Sequence, residues 1–246
     1  MRHGRGQPKT RPGPARRMQQ LSAFALFSAL DADADSRFAG QCSISDFDEN
    51  ELVLDFDDDT HDVFLIASGR VRVILRIATG REVILGELGE GAFFGELAAI
   101  DGTRRSANIT AMVRTRLIRV PQSVFRTILR EEPDVALALM SAMSDRIRGL
   151  NTRLAEHSFL AAKYRLYSEL IRLSKPRKGH DGQRTITPPP VQQDLAERIG
   201  CRREVVSREI AKLEREGVIE RTRGAIVLAD MGELNRRLSE GWEKGG

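Results

Sequence analysis

The sequence predicts an α+β protein in which an N-terminal antiparallel β-barrel of the jelly-roll type is followed by a long helix and a small C-terminal helical domain. Its 246 residues exceed one ordinary domain of about 100 to 150 residues and suit two. Short apolar runs separated by turn residues fill positions 41–120. After Pro133 a helical repeat of apolar residues replaces them.

Composition excludes several classes of protein. No apolar run approaches the roughly 18 to 20 residues that a membrane span needs, and no secretory apolar core follows the basic start, so we predict a cytoplasmic protein without a membrane partner. The two cysteines, Cys42 and Cys201, lie far apart without His or Cys at ligand spacing. This excludes disulfide scaffolds, zinc knuckles and cysteine-ligated iron-sulfur clusters, and no metal is expected.

The first element, residues 1–19, reads as a flexible basic arm. It holds six Arg or Lys residues, three prolines, three glycines and no acid, a composition that buries too little surface to order itself. It either touches nucleic acid or is a solvated extension ahead of a start at Met18.

The segment from Asp31 to Asp62 is dominated by acidic residues. The surface that it forms would repel DNA phosphates.

Residues 20–132 form the predicted barrel domain. Four strand-like runs carry its pattern, and they are Val63–Ile66, Val71–Leu75, Glu82–Leu85 and Leu117–Val120. Turn residues at 68–69, 79–80 and 89–91 separate them. Short, closely spaced strands with tight turns indicate a sandwich or a small barrel.

Residues 133–157 form a predicted dimerisation helix. Pro133 suits the first position of a helix, and apolar residues then recur at alternating spacings of four and three, at Ala136, Met140, Met143, Ile147, Leu150 and Leu154. Two copies of such a seam can bury each other as a parallel coiled coil, which predicts a homodimer. The alternative is that the stripe packs on its own barrel.

Residues 158–246 form the predicted C-terminal domain, with a hinge near His157 to Ala162. A second helix covers about 161–174, and a connection rich in Pro, Gly and charge covers 175–190. Residues 192–208 then read QQDLAERIGCRREVVSR, which predicts helix, turn, helix. Ala196 is small where two helices cross, Gly200 can take the positive φ of the turn, and Leu195, Ile199 and Val206 face a shared core.

The second helix of this motif carries polar side chains where major-groove readers place theirs. Arg203 and Glu204, and one turn later Ser207 and Arg208, lie on its outward face. Arginine can donate two bonds to guanine and glutamate can accept one from cytosine. The alternative is a solvated charged helix in a domain that binds another protein.

Residues 91–107 read GAFFGELAAIDGTRRSA and offer groups for one phosphorylated sugar. The turn Gly95-Glu96-Leu97-Ala98 can aim backbone N–H groups at an anion, and Arg105 follows nine residues after Glu96. A carboxylate accepts from sugar hydroxyls, a guanidinium binds a phosphate, and the Ser106 hydroxyl can complete the shell. The alternative is a structural Glu-Arg pair that ties a turn together.

Both segments resemble one known family. Residues 94–107 match the phosphate-binding pattern of cyclic nucleotide-binding domains, F-G-E-L-A, a short loop, then R-(S/A/T)-A. Residues 200–208 resemble the recognition helix of the Crp-Fnr transcription regulators, and residues 217–227 resemble the wing hairpin that follows it. Over about residues 41–228 the chain is therefore similar to a Crp-Fnr regulator with a winged helix-turn-helix.

The resemblance implies roles for the ligand residues. Glu96 would bind the ribose 2'-hydroxyl and Arg105 the cyclic phosphate, and the anion site would be completed by Ser106 and by the backbone of Gly95, Leu97 and Ala98. The dimerisation helix would cover the base, with Arg146 near the ligand. Where cyclic-AMP-binding members have a Thr-Ser pair, this chain has Leu150 and Asn151, and of these only Asn151 can bond a purine edge. Cyclic AMP is the expected effector, and cyclic GMP is the alternative because Ser106 can bond its 2-amino group.

The resemblance also implies the DNA contacts. A palindrome with half-sites similar to TGTGA would be read by the recognition-helix residues, which are Arg202, Arg203, Glu204, Ser207 and Arg208. Gln193 would hold a phosphate. RNA polymerase is an expected partner, and the loop 176–184 is a candidate surface for it. The oxygen-sensing branch needs a cysteine cluster that this chain lacks, and a haem-sensing branch would need an axial ligand such as His61 or His157.

The predicted function is therefore regulatory and not enzymatic. A cyclic nucleotide would shift a homodimer toward the state that binds DNA. The alternative is a ligand-independent regulator, or one with another effector, whose barrel serves only dimerisation. A role in regulating a catalytic domain is disfavoured, because the remaining chain is short and has no Gly-rich phosphate loop.

Overall fold

The computed structural model describes residues 20–76 and 82–245. The predicted basic arm, residues 1–19, lies outside the described residues, as does the turn predicted at 79–80. The chain divides into two compact units between Asp145 and Arg146. Among the described residues, no helix is long and apolar enough to cross a membrane.

Two four-stranded antiparallel sheets make up most of the first unit. One has the order β1-β8-β3-β6 and the other β2-β7-β4-β5. Their strands are β1 (Ser43–Phe47), β2 (Leu52–Leu54), β3 (Val63–Ser68), β4 (Arg70–Arg76), β5 (Glu82–Gly89), β6 (Phe93–Phe94), β7 (Asn108–Ala111) and β8 (Thr115–Val120).

The four predicted strands are confirmed as parts of β3, β4, β5 and β8. The predicted jelly-roll fold is also confirmed, and of the two predicted forms, sandwich or small barrel, the structure has the sandwich. The hydrogen-bond ladders end at β1 and β6 in one sheet and at β2 and β5 in the other. Among the described residues, the short edge strands β2 and β6 each pair with one neighbour, β7 and β3 respectively. The two sheets therefore remain separate.

Two apolar clusters hold this unit together. Between the sheets lie Phe64 and Ile66 with residues such as Phe94 and Leu117. On the other face of β3, Val63 and Leu65 pack against the surrounding helices. Because β3 is buried on both faces, its sequence is a continuous apolar run without the alternation of a half-exposed strand.

Helices cover the outer face of the first unit. They are α1 (Ala32–Ala39), α2 (Glu96–Asp101), α3 (Gln122–Glu131) and the beginning of α4 (Pro133–Phe159). Helix α4 starts at Pro133 as predicted and is two residues longer than expected. Its buried residues in this unit are Val135 and Leu139.

The second unit contains the end of α4, four further helices and a small sheet. These are α5 (Ala162–Leu173), β9 (Lys175–Pro176), β10 (Arg184–Ile186), α6 (Gln192–Ile199), α7 (Arg203–Arg215), β11 (Ile219–Arg221), β12 (Ile226–Leu228) and α8 (Met231–Gly245). Helices α6 and α7 confirm the predicted helix, turn, helix, and β11 and β12 pair as the predicted hairpin. Leu195, Ile199 and Val206 are buried in one core, as predicted.

Candidate functional site

Arg105 is the centre of the candidate ligand site. Its side chain is almost completely buried, with 4% of the residue exposed. Nε donates to Thr60 Oγ1 at 2.9 Å, Nη1 to the Gly95 carbonyl at 3.0 Å and Nη2 to the Asp62 carbonyl at 2.8 Å. Burial lowers the pKa of Arg105, and the nearby Asp62, Asp58 and Glu96 carboxylates oppose that shift. The guanidinium is therefore held in one orientation by two loops.

Gly95 brings the turn against this guanidinium. It precedes α2 with a left-handed φ of 85°, a conformation that favours glycine. A Cβ at this position would lie 2.7 Å from the Asp62 carbonyl oxygen and 2.8 Å from Arg105 Nη1. Close approach of the turn to Arg105 thus requires a residue without a side chain.

The other predicted ligand residues of the first unit surround this turn. Glu96 is buried at the first position of α2 and interacts electrostatically with Arg105. Ala98 is buried, while Leu97 and Ser106 are exposed. The structure therefore brings Gly95, Glu96 and Arg105 together.

Arg146 and Asn151 lie on α4 in the second unit. Arg146 is half-buried and Asn151 is exposed. Their contact with the ligand stays a prediction, as do the roles of the other ligand residues.

Sequence reasoning missed the loop that holds Arg105. Asp57 N donates to the Arg105 carbonyl and Arg105 N donates to the Asp58 carbonyl, each at 3.0 Å, so the acidic segment pairs with the ligand segment. Arg104 adds an exposed ion pair with Asp57 at 3.1 Å. No spacing rule links these segments, because they lie more than forty residues apart and meet only through the fold.

The DNA-facing candidates lie on and beside α7. Arg202, Arg203, Glu204, Ser207 and Arg208 are all exposed, whereas Val206, Ile210 and Leu213 of the same helix are buried. Gly200 adopts a φ of 63° at the turn, as predicted. Gln193 is exposed, and its side-chain amide donates to Glu197 at 2.7 Å. The exposed face of α7 therefore carries the polar set that the sequence predicted.

The seam of α4 is largely uncovered in the single chain. Met140, Ile147, Leu150 and Leu154 are 54 to 67% exposed. Met143 alone of the six seam residues packs against the core of the first unit. Within the first unit, where Met140 is exposed and Met143 is packed, the stripe therefore does not pack as a whole on the sandwich.

Two family models match the chain. The cyclic nucleotide-binding domain matches residues 44–132, which include Gly95, Glu96 and Arg105. The Crp-like helix-turn-helix domain matches residues 164–237, which include α6 and α7. Together they cover both candidate sites.

Similar proteins were found by sequence. A CRP-like cAMP-activated global transcriptional regulator of Mycobacterium tuberculosis is 25% identical over 219 residues, which are 88% of this chain and 97% of that protein. The cAMP-activated global transcriptional regulator Vfr of Pseudomonas aeruginosa is 27% identical over 161 residues, 64% of this chain and 75% of that protein.

Solved structures share the fold. A CooA mutant from Carboxydothermus hydrogenoformans matches with a TM-score of 0.74 and 20% identity, over 91% of this chain and 100% of that one. The c-di-GMP-responsive global regulator CLP of Xanthomonas campestris matches with a TM-score of 0.68 and 22% identity, over 80% of this chain and 98% of that one. These findings confirm the resemblance inferred from residues 94–107 and 200–208: the chain is a transcription regulator of the Crp-Fnr family, with an N-terminal cyclic nucleotide-binding domain and a C-terminal Crp-like helix-turn-helix domain.

Proposed function

We propose that this regulator binds DNA as a homodimer and that cyclic AMP in its sandwich controls this binding. The observation that carries the proposal is the buried Arg105 beside Glu96 and the left-handed Gly95. A buried guanidinium next to a carboxylate suits a ligand that presents a phosphate and a sugar hydroxyl to adjacent groups. Cyclic AMP is favoured because the regulators of M. tuberculosis and P. aeruginosa that this chain resembles are named cAMP-activated.

The exposed α4 seam supports the dimer. Four apolar side chains that are more than half exposed form a patch that a single chain leaves in water, and a second copy of the helix would bury it. In such a dimer the two α7 helices would read successive major grooves about 34 Å apart. The DNA contacts would be made by Arg203, Glu204, Ser207 and Arg208, with Arg202 and Gln193 at the border of the motif.

A second candidate is a regulator with another effector. The observation that favours it is the pair Leu150 and Asn151, which replaces the Thr-Ser pair of cyclic-AMP-binding members, together with an Arg105 that donates three hydrogen bonds to the protein. In this alternative Glu96 and Arg105 are a structural pair, and the sandwich serves dimerisation.

Thermal stability with nucleotide distinguishes the two candidates. Cyclic AMP at about 100 times its dissociation constant stabilises the folded chain by roughly 2.7 kcal/mol, so the melting temperature should rise. The same nucleotide should tighten binding to a labelled duplex with two TGTGA half-sites, measured by fluorescence anisotropy. A response to cyclic GMP alone would change the effector, and no shift with either nucleotide would contradict the proposed ligand.

A further inference from the structure

The joint between α4 and α5 is bridged by an ion pair between a buried carboxylate and a partly exposed arginine. Helix α4 ends at Phe159 and α5 begins at Ala162, so only two residues connect them. Across this joint Glu156 is 6% exposed, and its carboxylate oxygens accept from Arg172 Nη2 at 2.7 and 2.9 Å. The last turns of α4 and α5 are thereby bonded to each other.

The ion pair continues into the helix-turn-helix. Arg172 also donates to Glu169, which is buried. Glu169 in turn accepts from Arg198 Nη1 of α6 at 3.4 Å. Glu156, Arg172, Glu169 and Arg198, which we term the hinge network, thus link α4, α5 and α6.

A second set of contacts fixes the same joint. Arg165 Nη1 donates to the Leu160 carbonyl at 2.8 Å, and its Nε donates to the Ile199 carbonyl at 3.0 Å. At the turn between α6 and α7, a Cβ on Gly200 would lie 3.1 Å from His157 Cε1. The end of α4 therefore lies directly against the turn that precedes the recognition helix.

Stability alone does not explain buried charges at this place. Apolar residues of similar volume often stabilise a protein as well as a buried ion pair or better, because both ions lose their hydration. Hydrogen bonds between charged groups are directional, however, and Arg172 holds two carboxylates at once, Glu156 through Nη2 and Glu169 through Nη1. The hinge network therefore fixes the relative orientation of α4, α5 and α6, which apolar contacts would leave free to vary.

We propose that the hinge network positions the helix-turn-helix relative to the end of α4, so that a change at α4 alters the position of α7. The positioning residues are Glu156 and Arg172, which cross the joint, while Glu169 and Arg198 extend the link to α6. The regulatory part of this inference rests on the proposed function, since it assumes that a nucleotide acts through α4.

The test removes the pair that crosses the joint in the full chain. The double variant Glu156→Met, Arg172→Met deletes both charges together and leaves Glu169 with Arg198 and with the nearby Arg153, so that no carboxylate of this pair is left buried alone. Arg236→Met is the matched control, because it removes an exposed arginine with two carboxylate partners, Glu233 and Glu240, in the same unit.

Hydrogen exchange without nucleotide gives the first readout. In the double variant, the amides of Leu160, Tyr164 and Arg165, which bond to Glu156 and Ala161 carbonyls, should exchange at least about ten times faster. The amides of α7 should stay protected, which shows that the unit remains folded. Unchanged exchange at the joint would overturn the positioning role, because the helices would then be held without the network.

DNA binding gives the second readout. The ratio of duplex affinities with and without cyclic AMP should fall at least about five-fold in the double variant and stay at the parent value in Arg236→Met. An unchanged ratio, in a parent that responds to cyclic AMP, would overturn the proposed transmission. If the parent itself does not respond, the proposed function fails, and hydrogen exchange still decides whether the network positions the joint.

Discussion

Arg105 shows how the fold orders a single residue of the candidate ligand site. A guanidinium carries five N–H groups, and three of those on Arg105 already donate to Thr60, Gly95 and Asp62. These bonds fix the plane of the group, and under the proposed function its remaining two N–H groups would donate to the phosphate. The entropy of ordering a long arginine side chain is thus lost on folding and not again on binding.

Replacing Arg105 should abolish nucleotide binding. Arg105→Ala removes the charge proposed to bind the phosphate and the three hydrogen bonds to Thr60, Gly95 and Asp62, so we expect no measurable heat of binding in calorimetry and a stability loss of about 1 to 3 kcal/mol. The neighbouring Arg104→Ala is the matched control, because its side chain is exposed. Equal affinity in the two variants would contradict the assignment of Arg105.

Two glycines with the same backbone conformation test the approach of the turn. Gly91 and Gly95 have φ values of 83° and 85°, but a Cβ at Gly91 meets open space, whereas one at Gly95 meets Asp62 and Arg105. Both alanine variants should lose about 1 to 2 kcal/mol of stability from the left-handed φ. Only Gly95→Ala should also weaken nucleotide affinity, and equal effects on affinity would show that the turn does not position Arg105.

Arg203 tests the orientation of the recognition helix. It is exposed in the first turn of α7, where a side chain can reach a base edge. Arg203→Ala should weaken binding to a TGTGA-type duplex by about 1 to 3 kcal/mol and relax specificity at one base pair. Arg215→Ala, at the other end of α7, is the control. If gel shifts with Arg203→Ala still discriminate specific from scrambled duplexes as the parent does, another face of α7 meets the DNA.

Among the elements, those with a strong local pattern were predictable. Pro133 and the spacing of the apolar residues after it predict α4. The small Ala196 and the turn residue Gly200 predict α6, the turn and α7. The short strands β2, β6 and β7 were missed, because runs of two to four residues carry no period of their own and form only by pairing with distant partners. The loop that holds Arg105 and the hinge network could not be predicted from the sequence either, because their contacts join residues that are distant in the chain.

The α4 seam predicts the oligomeric state. Leu154 is 67% exposed in the single chain, and a charge there would be buried in a coiled-coil interface. Leu154→Glu should shift the chain toward the monomer in analytical ultracentrifugation without lowering the melting temperature of the isolated protomer. Leu52→Glu, an exposed leucine of the sandwich, should remain dimeric. If the Leu154→Glu variant remains dimeric, the dimer interface lies elsewhere in the chain.

In the whole molecule, ligand and DNA must influence each other reciprocally. If cyclic AMP raises the affinity for a specific duplex by a given factor, then that duplex must raise the affinity for cyclic AMP by the same factor. The reason is that the free protein, its complex with cyclic AMP, its complex with the duplex and its complex with both form a closed thermodynamic cycle. A coupling of about 5 to 150-fold is the usual range.

Calorimetric titration of cyclic AMP into the free and the duplex-bound protein should give two dissociation constants for cyclic AMP. Their ratio should equal the ratio of the duplex dissociation constants measured without and with cyclic AMP. A scrambled duplex is the control and should change the nucleotide affinity less, because it lacks the base contacts proposed for Arg203 and Glu204. If the specific duplex leaves nucleotide affinity unchanged, the sandwich and the helix-turn-helix are not energetically coupled, and the nucleotide does not control DNA binding.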